Sequence, residues 1–447
     1  MAHENNYELS HVDKIAMPIV VKAFVIYELD LAINRNDVIN SITEGLANAT
    51  TQCPFMAGKI YFNDSGKPII KKLPNDRLQC TIQEFAPSEH KSFHALQESC
   101  FPPEEFNNDR LLPSFPVSER PVSALQLNFI ENGLILAFAI NHIAGDWSSM
   151  NSFLSLVCQG SKAYQQDLSM PTYAPDLNRS PFNGDPHTNI PQSKLLKGCP
   201  GFFVDENAFI PPKMPPQFST GIYKITNSAV KRLKQECTEM LNGVDYVTSY
   251  DCIAALLWVT ITRVRAQLNR ENISLQSRFL HPIDLRSRDP EHRTSPRYFG
   301  NAVFPSQAGP IDVETLLAQK GLGAAASLIR KSINEVSMAS IENLTTLVAS
   351  LAPAERLGFH ANFFDMDVLF NSWFSGKATD FAIGSGLVPR AFRTHRPITG
   401  ACCLILPNFS LEEITSRLYD IFVQLDEREH RLLRQDSEFL DFFEIKV

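Results

Sequence analysis

Between Ser169 and Phe218 the chain carries ten prolines, among them the pairs Pro211-Pro212 and Pro215-Pro216. Each proline lacks an N–H and fixes φ, so neither a long helix nor a central strand can run through the stretch. A segment this long without regular structure does not suit a connection inside one compact domain. Gly201-Phe202-Phe203-Val204 and Phe209-Ile210 are apolar enough to dock on a folded surface, which argues against a solvated, disordered linker. The segment reads as a crossover between two folded units, residues 1–190 and 219–447, with the linker proper at 191–218. At 447 residues the chain is long enough for each unit to bury its own core.

Hydrophobic periodicity supports α/β units on both sides. Val122–Ile130 sets Leu125, Leu127 and Phe129 against Ala124, Gln126 and Asn128, the alternation of a half-buried strand. Glu131-Asn132-Gly133 supplies turn residues, and Leu134–Ile140 returns as a strand apolar on both faces. Met150, Phe153, Leu154 and Val157 then share one face of a helix over Ser148–Gln166. In the second unit a strand over Gly221–Thr226 precedes a helix from Asn227 or Ser228 to about Leu241. A capped helix follows in Thr248–Trp258.

Composition excludes several functions. A net charge of -8 does not suit a general nucleic-acid binder, which needs clustered Lys and Arg. The polar start Met1-Ala2-His3-Glu4 lacks the pattern of a secretory signal, and runs such as Leu134–Ile140 and Ala401–Leu406 fall short of a membrane span. The nine cysteines include the vicinal pair Cys402-Cys403 but no C-x-x-C, so neither a zinc site nor a disulfide framework is expected. A cytoplasmic monomer is the plain expectation.

The residues of greatest chemical interest are His142 and Asp146, directly after the apolar run that ends at Ile140. The end of a rigid buried strand is where a fold can aim a general base, and an aspartate four residues on can hold the loop that aims it. On its own H-x-x-x-D is a weak pattern, and a satisfied core histidine is its ordinary meaning. Of eleven histidines, however, only His142 has an aspartate at that offset. A metal role is poor, because no further His, Cys or carboxylate cluster lies nearby in sequence.

Several separated blocks accompany the motif in order: Cys53–Ile60, the Ser249–Trp258 segment, Pro282-Ile283-Asp284-Leu285-Arg286-Ser287-Arg288, Tyr298–Val303, Asn371-Ser372-Trp373 and Asp380–Gly384. Together with His142 and Asp146 they resemble the BAHD superfamily of CoA-dependent acyltransferases, in particular the fungal branch that includes the trichothecene O-acetyltransferases. The resemblance implies an α/β fold of two similar-sized, chloramphenicol-acetyltransferase-like domains, each a mixed sheet with flanking helices, joined by the Pro-rich crossover. It implies an acyl-CoA co-substrate, acetyl-CoA first, and a small-molecule alcohol acceptor, with no permanently bound cofactor. Two positions depart from the family. Ala382 and Ile383 replace the Gly and Trp of D-F-G-W-G, which a negative φ tolerates. Trp147 replaces the Gly after the motif aspartate and is expected to crowd the catalytic loop.

The resemblance also implies roles. His142 is the base: an imidazole with a pKa near ~6.5 is neutral enough at pH 7 to accept an alcohol proton. Asp146 pairs with Arg286 and holds the loop, rather than relaying charge. Asn371, where family members carry a hydroxyl, and the Trp373 indole N–H are candidate oxyanion donors; core packing is the alternative for Trp373. Asp380–Gly384 is structural. Ser249 at a helix start, and Arg288 in the strip Arg286, Arg288, Arg293 and Arg297, are candidates for the CoA phosphates, against an ordinary N-cap and a solvated face. Phe363, Phe364, Phe370, Phe374 and Phe381 supply core and, for a few, an apolar acceptor pocket suited to a hydrophobic metabolite. Two other readings stand beside this one. A carrier-protein thioester as donor is disfavoured by Asn141, where condensation domains prefer a second His. A BAHD-like protein that has left acyl transfer would bind or cyclise a metabolite.

Overall fold

The structure, a computed structural model, describes residues 5–16, 19–62, 68–116, 118–206, 218–268, 275–288, 294–352, 354–396, 400–409 and 419–447. Arg293 and residues 207–217 of the crossover lie outside the described residues.

The expected hairpin forms from Ser123–Ile130 and Gly133–Asn141, and Asn132 turns it in the left-handed conformation, φ 56°. Ser123 pairs with Ile140 and Ile130 with Gly133. One expectation fails. Ser123–Ile130 is buried on both faces, because the segment carrying Phe106 and Leu111 covers the side where water was expected. The polar residues there are satisfied by that cover: Gln126 Nε2 donates to the Arg110 carbonyl at 2.7 Å and Asn128 Nδ2 to that of Leu111 at 2.9 Å.

The hairpin lies within a five-stranded sheet in the order Pro389–Thr394, Val20–Glu28, Gly133–Asn141, Ser123–Ile130, Gln79–Glu84. The outermost strand, Pro389–Thr394, comes from the second half of the chain and pairs antiparallel with Val20–Glu28. A seven-stranded sheet, order Val303–Asp312, Gln276–Asp284, Val368–Ser372, Cys402–Leu406, Tyr419–Asp426, Phe218–Ile225, Phe443–Ile445, forms the second layer system. It is mixed: Val368–Ser372 runs parallel to both neighbours and the other pairs are antiparallel.

The buried helix Ser249–Leu268 covers one face of this second sheet, and Trp258 Nε1 donates to Ser277 Oγ at 2.7 Å across the contact. Gly321–Glu335 packs beside that helix. The opposite face turns toward the first sheet, and Ile222, Leu404 and Phe422 join the first half's apolar core. The halves thus share a core and a strand exchange. Among the described residues no helix is long and apolar enough to cross a membrane. Within the crossover, Gln192–Lys197 is a short helix and Phe202–Asp205 a short strand paired with Arg356–Phe359, within what so many prolines permit.

Candidate active site

His142 follows directly on the buried strand Gly133–Asn141 and opens a single 3-10 turn, His142–Ala144. Its backbone is held on both sides. The N–H donates to the Ile19 carbonyl at 2.9 Å, and its own carbonyl accepts from Asn301 Nδ2 at 2.8 Å and from the Gly145 N–H at 3.3 Å. Gly145 is needed for space, since a Cβ there would meet Ser149 Cβ at 2.8 Å. Nδ1 of the imidazole is buried without a hydrogen-bond partner among the described residues. Nε2 is the ring nitrogen left open to the cavity that His142 helps to line.

That cavity has a volume of about 290 Å³ and lies between the two sheets. One face of the second sheet forms its floor through alternate residues: Leu280 and Pro282, Leu369 and Asn371, Cys402 and Leu404. Trp373 continues the same parity just past the strand end. Asn371 Oδ1 accepts the Ser372 N–H at 2.7 Å, which leaves Nδ2 as a donor without a partner among the described residues. The Trp373 indole N–H is likewise unpartnered among them. His142, Asn371 and Trp373, picked from distant sequence blocks, line one cavity.

Asp146 does not touch the His142 ring. Its Oδ1 caps the helix Trp147–Gln165 by accepting the Ser149 N–H at 3.1 Å and also accepts Arg286 Nη2 at 3.0 Å. Oδ2 accepts Arg286 Nη1 and the Ala302 N–H, both at 2.9 Å. Arg286 also donates to the Tyr298 and Gly300 carbonyls and to Asp284 Oδ1, each at 3.1 Å. Burial would lower the pKa of this guanidinium, but the Asp146 and Asp284 carboxylates outweigh it and hold the pKa above its usual value. Gly300 has φ +150°, and a Cβ there would strike Arg179 Nη1, so only glycine fits the loop Arg286 grips.

Trp147 corrects the expectation of a crowded catalytic loop. Its ring stacks on Trp373, centroids 4.8 Å apart and 5° from parallel, and its Nε1 donates to Ser375 Oγ at 3.0 Å. Trp147 does not line the cavity; it backs Trp373 from the first half of the chain. In the altered family signature, Ala382 has φ −66°, a conformation open to any residue. Phe381 is buried and its carbonyl accepts the Tyr27 hydroxyl at 2.7 Å.

Ser249 and Arg288 are not among the cavity residues. Ser249 opens its helix, and the Asp251 side chain reaches back to Thr248 before it: Oδ2 accepts the Thr248 N–H and hydroxyl, at 2.6 and 2.9 Å. Arg330 closes this group through Nε to Asp251 Oδ2 at 2.8 Å. Arg288 donates to the Ile333 carbonyl at 2.7 Å, and its pKa is lowered by burial and then by Arg330. Among the described residues no cluster of His, Cys, Asp and Glu stands ready to hold a metal ion.

Sequence reasoning missed the brace behind His142. Asn301, wholly buried, ties the His142 carbonyl to Asp13, whose Oδ1 accepts the Asn301 N–H at 2.7 Å and Nδ2 at 3.0 Å. Ser10 and Asp13 form a capping box, so the sequence could mark a helix start there. Nothing local in it points across the chain to Asn301.

Two α/β halves share a core over a cavity that has His142 on its wall and no carboxylate on that ring, the architecture of a two-domain acyltransferase fold. The model of the Transferase family matches residues 2–440, and the chain belongs to that family, the BAHD superfamily of CoA-dependent acyltransferases. Among relatives, the enoyl-CoA isomerase/hydratase claC of Penicillium crustosum is 24% identical over 360 residues, 75% of this chain but only 39% of claC. Trichothecene 3-O-acetyltransferase TRI101 of Fusarium sporotrichioides is 22% identical over 397 residues, 80% of each chain. The crystal structure of that F. sporotrichioides TRI101, complexed with coenzyme A and T-2, superposes with a TM-score of 0.80 at 18% identity, over 99% of this chain and 100% of that one, a likeness of fold.

Proposed function

We propose that the chain moves an acyl group, acetyl foremost, from a CoA thioester to a hydroxyl of a hydrophobic secondary metabolite, with His142 as general base. The observation that carries this reading is the open Nε2 of His142 on an apolar cavity walled by both halves. Nε2 takes the proton of the acceptor hydroxyl as its oxygen attacks the thioester carbonyl. The C–O bond forms, and the negative charge passes to the carbonyl oxygen. Asn371 Nδ2 and the Trp373 indole N–H are the donors for that oxyanion. Collapse breaks the C–S bond, and the imidazolium returns its proton to the departing thiolate. A positioned base of this kind contributes roughly 10²–10⁴-fold.

Asp146 and Arg286 act on the loop and not on the proton. For the donor, Ser249 and Arg288 are assigned to the CoA phosphates; in support, Arg288 lies beside Arg330 at the start of the helix Ser249–Leu268, where anions are favoured. The fungal acetyltransferases among the relatives support acetyl as the acyl group and a secondary metabolite as acceptor. The enzyme works as a monomer in the cytoplasm; the nine free cysteines agree with a reducing setting.

Incubation with acetyl-CoA and a panel of hydrophobic alcohols, read by mass spectrometry, tests the reading. At least one acetyl ester is expected. A protein that binds acetyl-CoA yet esterifies none of the panel, or that converts a metabolite without any thioester, overturns it.

A further inference from the structure

The cavity floor is apolar, but one wall is not. Lys22 and the consecutive residues His395 and Arg396 line it from the edge of the first sheet. Strand exchange brings them together: Thr394 pairs with Ala23, and its hydroxyl donates to the Lys22 carbonyl at 2.8 Å. His395 Nδ1 lies 3.2 Å from the Arg396 carbonyl, and Nε2 lies 3.7 Å from Asp109. All three side chains are half-buried.

The charges there do not balance. Asp109 is the carboxylate facing this group; its side chain is 90% exposed, and its contact is with His395. Neither the Lys22 ammonium nor the Arg396 guanidinium has an ion-pair or side-chain hydrogen-bond partner among the described residues. Burial, only partly offset by Asp109, lowers the Lys22 pKa; burial, and then Lys22, lowers that of His395. Two half-buried cations without an anionic partner, beside an apolar chamber, favour a ligand that brings an anion.

We infer that the acceptor is a hydrophobic hydroxy-metabolite that also carries a carboxylate, bound by Lys22 and Arg396 so that its hydroxyl faces His142. The inference rests on the acyl-transfer reading for the acceptor's role, but the site itself is a binding site and is tested without turnover. The apolar body fills the chamber, and the carboxylate fixes its direction. Specificity follows from the same charges: the esterified or amidated analogue leaves both cations without a partner.

The test is calorimetric titration of the intact protein with ω-hydroxydodecanoate, its methyl ester and acetyl-CoA. The acid is expected to bind at least about tenfold more tightly than the ester. Lys22→Met and Arg396→Met each narrow that gap and together erase it, while ester and acetyl-CoA affinities hold, which shows the cavity intact. Equal binding of acid and ester, no binding of the acid, or a preference that survives the double substitution overturns the inference. So does a loss of acetyl-CoA affinity in the variants, which assigns these cations to the CoA phosphates. Tight, charge-dependent acid binding without any acetyl transfer would keep the site and reject the acyl-transfer reading.

Discussion

Asp146 and Arg286, 140 residues apart in sequence, meet in two parallel hydrogen bonds, Nη1 to Oδ2 at 2.9 Å and Nη2 to Oδ1 at 3.0 Å. Each carboxylate oxygen also accepts a backbone N–H, from Ser149 and from Ala302, so no lone pair is directed to the His142 ring. The pair joins the loop after the strand Gly133–Asn141 to the second half of the chain.

Breaking it leaves Asp146 buried and unpaired, or Arg286 with only the half-exposed Asp284 carboxylate, 3.1 Å away. Asp146→Asn and Arg286→Ala are each expected to lower unfolding stability by roughly 3–5 kcal/mol, and together by less than the sum of the two. Urea unfolding of both variants and the double variant checks this. Normal stability with activity lost in Asp146→Asn would instead make the aspartate a proton relay.

Trp373 has two duties that substitution separates. Trp373→Phe keeps an aromatic ring against Trp147 but removes the N–H, so kcat is expected to fall about 10²-fold, with a stability loss near ~1 kcal/mol. Trp147→Ala removes the stack and leaves the N–H, so stability falls more than kcat. Steady-state kinetics paired with thermal melts distinguishes the two. An unchanged kcat in Trp373→Phe assigns the residue to packing alone.

Asn301 is a positioning residue. Asn301→Ala frees the His142 carbonyl and removes one of the donors to buried Asp13, the backbone N–H remaining, at a cost of about 1–3 kcal/mol. A tenfold fall in kcat with unchanged acetyl-CoA affinity is expected, since the base shifts and the donor site does not. Asn301→Asp sets a carboxylate against Asp13 and is expected to be worse on both measures. A lower acetyl-CoA affinity with kcat intact would remove Asn301 from the brace.

Acid sensitivity follows from two buried histidines away from the cavity. The pKa of His281 is pushed down to about 3 by burial and then by Arg330 and Arg288; that of His430 is pushed down to about 4 by burial and then by Arg434. The unfolded chain takes up these protons near pH ~6.5 and the folded one does not. Stability is therefore full above ~6.5 and is lost as pH falls from there toward ~4, by up to about 1.4 kcal/mol per pH unit for each histidine. His430→Gln is expected to roughly halve that slope. Urea midpoints between about pH 4.5 and 7 measure it.

Much of the site was legible because its chemistry is local. The hairpin ending at Asn141, the motif residues and the Asp284-x-Arg286 block could each be read within a few residues, and the family pattern supplied their pairing. What stayed hidden depends on contacts across the chain. Gln126 and Asn128 look solvent-facing in a strand of alternating polarity, yet Arg110 and Leu111 carbonyls satisfy them under cover. Trp147 looked like an obstruction because its stacking partner lies in the other half of the chain. The strand Pro389–Thr394 carries no mark that it leaves its own half for the first sheet, and with it the placement of Arg396 beside Lys22 was out of reach.

The central claim is that His142 is the base for transfer from a CoA thioester. Its most direct test is release of free thiol from acetyl-CoA, with and without a hydroxyl acceptor, by the unaltered protein and by His142→Ala. The account predicts acceptor-dependent thiol release that falls by roughly 10²–10⁴-fold in the variant, with acetyl-CoA binding and thermal stability retained. Acceptor-dependent release that persists in a folded His142→Ala protein would contradict it.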